Sequence, residues 1–135
     1  MNRIIILTAS ALGFIGVILG AFGTHALENS LTSDQLSTYD TGVRYHLIHT
    51  ILLLFLGLEN RLNKKRKKII WLFLLIGILF FSGSIYVLAT NELTLFDFKK
   101  IALVTPLGGS FLIFAWLLIF ISYWSKTKKT TNNQT

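Results

Sequence analysis

Long apolar runs alternate with short polar connections along the chain. A helix that crosses a membrane needs about 20 mostly apolar residues, and four stretches meet or approach that length. Ile4 to Gly23 carries no charge. Gly42 to Leu58 is the weakest, with Arg44, His46 and His49 near its start. Ile69 to Ala89 is uncharged and opens on Trp71. Ile101 to Trp124 is uncharged and closes on Trp116, Tyr123 and Trp124, and rings at span ends suit the headgroup level. These runs predict an all-α fold, an integral membrane bundle of four transmembrane helices spanning roughly 4–23, 42–60, 69–90 and 101–124. Residues 1–126 form one domain on this reading. The polar tail 127–135 has no apolar period and reads as disordered and cytoplasmic.

The connections refine the picture. Thr32 or Ser33, in the polar stretch Glu28 to Thr41, is expected to cap a helix that continues into the second span. Arg3, the first apolar run and Thr24-His25-Ala26 loosely resemble a secretory signal with a small-x-small cleavage site. The run is longer than a signal core of roughly 7–15 residues, so it reads as a retained span.

Charge then sets orientation. Arg61, Lys64, Lys65, Arg66, Lys67 and Lys68 lie between the second and third spans, Lys126, Lys128 and Lys129 in the tail, and Arg3 at the start. With four spans these share one side. The other side holds Arg44, Lys99 and Lys100 together with Glu28, Asp34, Asp40, Glu92 and Asp97. The positive-inside rule predicts an N-in, C-in protein. The net charge of +7 therefore marks topology and contact with anionic lipid headgroups, not nucleic acid, which would want aromatics among the basic residues. Cysteine is absent, which excludes disulfides, thiolate nucleophiles and Cys-based zinc sites.

Gly13, Gly16, Gly20 and Gly23 fall within an arc of roughly 80° on the first helix. Small residues on one face let helix backbones approach, so the stripe reads as a packing seam, within the chain or between protomers. Ser82-Gly83-Ser84 and Gly108-Gly109 read the same way, and Pro106 starts or kinks the fourth helix.

Asp40, Arg44, His46 and His49 lead into the second span. Ionisable groups are costly in hydrocarbon and are function candidates by default. At about 100° per residue, Asp40 and Arg44 share one face while His49 and His46 lie nearly opposite. His49 is the deepest and most needs an internal partner, from among His25, Thr24, Thr105, Ser82 and Tyr45. Histidine and aspartate suit zinc or copper by type, but imidazole alone is a weak signal, and no metal or cofactor is expected. No nucleophile elbow, phosphate loop or HExxH occurs, so the chain is not expected to be an enzyme.

Four ordered motifs carry a family resemblance: Gly20-Ala-Phe-Gly-Thr-His-Ala-Leu27, Tyr39-Asp-Thr-Gly-Val-Arg-Tyr-His-Leu-Ile-His49, Phe81-Ser-Gly-Ser-Ile-Tyr86 and Thr105-Pro-Leu-Gly-Gly109. The chain resembles the domain of unknown function 423 family of small four-helix bacterial membrane proteins. The resemblance implies a multi-pass protein of the bacterial cell membrane without an agreed activity. It carries over Gly20, Gly23, His25, Tyr39, Arg44, Tyr45, His49, Ser82, Gly83, Pro106, Gly108 and Gly109. It departs at Asp40, where the family has a longer acid, and at His46, where it more often has an amide.

The leading functional expectation is a polar site in the outer half of the bundle. His25, Arg44 and His49 line it, Asp40 orients Arg44, and it binds or passes a small polar or ionic solute or a lipid headgroup. The rival is a non-catalytic structural or assembly protein whose glycine stripe packs on a second copy or another membrane protein. Membrane lipids are the expected surroundings in either case.

Overall fold

The computed structural model describes residues 1–95, 98 and 102–131, with side chains described to Trp124. Asp97, Lys99, Lys100, the expected start of the fourth span at Ile101, and residues 132–135 lie outside the described residues. The described residues form four α-helices, α1 (Asn2–His25), α2 (Ser33–Leu58), α3 (Lys64–Ala89) and α4 (Val104–Thr131), with a short 3-10 turn at Asn91–Leu93. All four are long and apolar enough to cross a membrane.

Local chemistry sets the boundaries. α2 begins well before its apolar run because Thr32 caps it. The Gln35 N–H donates to Thr32 Oγ1 (3.3 Å), and the Thr32 N–H donates to Gln35 Oε1 (2.9 Å). α3 starts on Asn63, whose Oδ1 accepts the Arg66 N–H at 2.8 Å, so the basic run is the first turn of a helix and not a loop. Pro106 falls in the first turn of α4, where a missing N–H breaks no helical bond. α4 continues past Trp124 to Thr131.

The helices run up and down, and the main seams join consecutive helices. α2 and α3 are central, with 44% and 39% of their spans buried against 22% and 17% for α1 and α4. α2 is the least hydrophobic of the four, so the most polar helix lies inside. Leu7, Phe14, Ile51, Ile113 and Phe120 are each more than half exposed. Such a surface is an aggregation liability in water and a normal one in lipid, which is as apolar as the side chains.

Glycines set the seams. A Cβ on Gly16 would lie 2.7 Å from Leu47, on Gly20 3.3 Å from Val43, and on Gly23 2.7 Å from Tyr39, so the stripe of α1 meets α2 of the same chain. A Cβ on Gly77 would run into the Leu112 side chain, and one on Gly108 into the backbone N of Phe81, so these two glycines bring α3 and α4 together. Gly83 stands apart, since a Cβ there would meet nothing within 4 Å.

The end bearing the N-terminus and the basic run (the basic end) is tied by polar side chains from all four helices or their flanks. Asn2 donates to Asn60 Oδ1 (3.0 Å), and the buried Lys67 donates to Asn2 Oδ1 (2.9 Å). Glu59 accepts the Arg61 N–H and lies 3.6 Å from Arg61 Nε. The Arg61 guanidinium sits 5.8 Å over the Tyr123 ring. The neighbouring Tyr123 hydroxyl and the Arg61 N–H hold the Glu59 carboxyl below the usual carboxylate range.

Candidate functional site

The polar residues of α2 separate by face. Arg44 donates to Asp40 Oδ2 at 2.7 Å, and the two side chains are 66% and 61% exposed. His46 and His49 point the other way and are buried.

His46 Nε2 lies 2.9 Å from the Leu12 carbonyl of α1, which can only accept. That assigns the proton to Nε2, so Nδ1 accepts from the Tyr86 hydroxyl of α3 at 3.2 Å. One ring therefore joins three helices. Tyr39, the other buried ring on this side, donates its hydroxyl to the Leu19 carbonyl of α1 at 3.0 Å and packs on Tyr86 at 5.1 Å.

These contacts repeat. His46 packs over Gly16 and donates to the carbonyl of Leu12; Tyr39 packs over Gly23 and donates to the carbonyl of Leu19. In each case the accepting carbonyl belongs to the residue one helical turn before the glycine. The glycines are two turns apart on α1, and so are the rings on antiparallel α2. Without a Cβ, each glycine opens a gap through which a ring reaches a backbone carbonyl. The stripe and the buried polar rings are thus one device.

His49 joins α2 to α4. Its Nδ1 lies 2.7 Å from the Tyr45 carbonyl, so it carries the proton, and Nε2 accepts the Trp116 indole N–H at 3.2 Å. Both ring nitrogens of each α2 histidine are thereby engaged. Trp116 sits well inside α4 and not at its end, and its indole has a protein partner. Of the expected partners for His49, Tyr45 contributes, through its carbonyl.

His25 is exposed in the last turn of α1. Among the described residues no hydrogen bond, ion pair or ring contact joins His25, Arg44 and His49, and of the expected set only Asp40 and Arg44 are bonded to one another. No group of three His, Asp or Glu side chains able to hold a metal occurs among the described residues.

The structure adds a hollow that sequence reasoning missed. It has a volume of about 300 Å³ and lies between α1 and α2 at the end opposite the basic run (the far end). Gly20, Gly23 and Thr24 of α1, Glu28 of the connection, and Leu36, Tyr39, Asp40 and Val43 of α2 line it. It exists where α1 presents glycine instead of a side chain. The available signal was the register: antiparallel pairing of Gly16 with His46 and Gly23 with Tyr39 places Gly20 beside Val43 and Asp40 near the stripe.

Comparison with known proteins agrees with this architecture. A family model described as a protein of unknown function (DUF423) matches residues 19–109. A UPF0382 membrane protein of Haemophilus influenzae is 37% identical over 127 residues, covering 93% of this chain and 98% of the relative. The UPF0382 inner membrane protein YgdD of Escherichia coli K12 is 34% identical over 125 residues, covering 89% and 88%. The UPF0382 membrane protein YwdK of Bacillus subtilis is 31% identical over 123 residues, covering 89% and 95%. None of these names carries an enzymatic activity. No solved structure matches the chain. Family match, relatives and four membrane-length helices together establish that the chain belongs to the DUF423 family and is a multi-pass protein of the bacterial plasma membrane.

Proposed function

We propose that this protein is a non-catalytic membrane binder whose far-end hollow takes an amine- and phosphate-bearing group, as a free solute or as a zwitterionic lipid headgroup. The observation that carries the reading is the hollow beside Asp40, at the end of a membrane-length helix. Asp40 gives Oδ2 to Arg44, and a carboxylate accepts several donors, so an ammonium has a partner there and at Glu28. The exposed Arg44 offers the complementary charge for a phosphate. The reading keeps Asp40 and Arg44 but moves the site away from His25 and His49, because the His49 ring nitrogens already have partners. The glycine stripe meets its own α2, which supports an intramolecular role for it over an assembly role.

The test is equilibrium binding by the purified protein in detergent. Phosphoethanolamine would be titrated calorimetrically and phosphatidylethanolamine followed by native mass spectrometry. One saturable site is expected, with Asp40→Asn about tenfold weaker, the loss of one charged hydrogen bond. Thr24→Trp, which fills the hollow, abolishes binding. Binding of the lipid alone identifies a headgroup site, and binding of both a solute site. Equal affinity in wild type and both variants would sink the proposal.

A further inference from the structure

A second groove lies at the basic end, between α3 and α4, built on residues other than those of the far-end hollow. It has a volume of about 140 Å³. Ile69, Ile70, Leu118 and Ile121 form its apolar walls, and Arg66 and Ser122 are its polar members. Arg66 and Ile70 are one turn apart on α3, as are Leu118 and Ser122 on α4, so the groove runs along the helix axes. Its cation lies toward the basic end and its hydrocarbon toward the bundle centre. The Ser122 hydroxyl donates to the Leu118 carbonyl of its own helix and supplies no counter-charge.

Charge decides what fits. Arg61 is answered by Glu59, and Lys67 is buried against Asn2. Lys64, Lys65, Arg66 and Lys68 have no ion-pair partner among the described residues, and the first turn of α3 contains no acid. An apolar groove that ends in an unanswered cation, on a helix that emerges from a membrane, is complementary to a molecule with a hydrocarbon chain and an anionic head. We infer that the α3–α4 groove binds one anionic phospholipid, its phosphate on Arg66 and the start of an acyl chain along Ile69 and Leu118.

Native mass spectrometry of the full chain released from mixed phosphatidylglycerol and phosphatidylcholine micelles tests this. Wild type is expected to retain one phosphatidylglycerol per chain. Arg66→Ala should cut retention about fivefold, the worth of one interfacial cation, and Arg66→Lys should restore most of it. Ile121→Trp, at a half-exposed position, should fill the groove and abolish retention with the charge intact. Lys65→Ala, outside the groove, should leave retention unchanged. Equal losses in Lys65→Ala and Arg66→Ala would mean diffuse attraction and overturn the inference. So would full retention in Ile121→Trp, or competition by inorganic phosphate at the same site.

Discussion

The two ends of the bundle are joined by different means. At the basic end, polar side chains answer one another: Lys67, Asn2 and Asn60 form a chain, and Glu59, Arg61 and Tyr123 a cluster. At the far end, backbones approach and rings reach through glycine gaps to carbonyls, while Asp40, Arg44 and Glu28 remain at the surface. The buried polar groups at the first end, Lys67 and Glu59, are used up in holding helices together, and of its cations Arg66 is left at the surface beside the α3–α4 groove. The polar groups at the second end are left around a hollow. The lesson is that polarity in a membrane helix does not by itself mark a site; whether its hydrogen-bonding capacity is already taken does.

The largest test of this contrast is a pair of glycine substitutions. A Cβ on Gly108 would meet the Phe80 and Phe81 backbone at 2.7 Å or less, and backbone cannot step aside. Gly108→Ala should cost about 3 kcal/mol or more. At the basic end a Cβ on Gly57 meets first Ile6 Cγ1 at 2.7 Å and the Ile6 backbone N only at 3.3 Å, so Gly57→Ala should cost less, about 1–2 kcal/mol. Unfolding in mixed detergent with sodium dodecyl sulfate measures both. Equal costs would remove the distinction between ends. Gly83→Ala, facing open space, should cost nothing.

Next in size is His46. His46→Phe keeps the ring but strands the Tyr86 hydroxyl and removes the bond to the Leu12 carbonyl. A loss of about 1–2 kcal/mol is expected, typical of interhelical hydrogen bonds in membranes. An amide at this position should fit, since it also donates and accepts. His46→Gln therefore should recover more than half of the loss in the same unfolding assay. A His46→Gln protein no more stable than His46→Phe would show that ring shape matters there and not hydrogen bonding.

Much of this was legible in the sequence because membrane helices obey a length and hydrophobicity rule that needs no tertiary information. The four runs, the cap near Thr32 and the opposite faces of Asp40 and His49 follow from periods of 3.6 residues along one chain. What was not legible depends on register between chain segments. His46 joins three helices because Gly16 happens to lie opposite it. Trp116 read as an interfacial ring because Tyr123 and Trp124 follow it, yet its indole meets His49. His25 comes from one motif of the resemblance and Arg44 and His49 from another, and no hydrogen bond or ion pair joins the three among the described residues.

A smaller effect concerns acid. The Tyr123 hydroxyl and the Arg61 N–H hold the Glu59 carboxyl below the usual range, so the folded state favours its ionised form. Its contribution is complete above the unfolded carboxylate value and is lost as pH falls through the lower folded value. Melting temperature should therefore drop more steeply below about pH 4.5 in wild type than in Glu59→Gln, which cannot titrate. Parallel curves would mean that the basic-end cluster contributes nothing ionic.

The smallest effect on stability is the sharpest on function. Asp40 and Arg44 form an exposed pair one turn apart, a type worth about 0.2–0.5 kcal/mol. Asp40→Asn should barely move the unfolding midpoint, and raising salt should erase the remaining difference. If the far end is the binding end, the same substitution weakens phosphoethanolamine or phosphatidylethanolamine about tenfold. Lys67→Met should do the reverse. It removes a buried side chain's bond to Asn2 at the other end, so it lowers stability and leaves ligand affinity unchanged. A double dissociation of this kind separates a residue that holds helices from one that holds a ligand. If Asp40→Asn destabilised the fold as much as Lys67→Met while binding stayed intact, the far end would be a second structural tie, and the contrast between the ends would collapse.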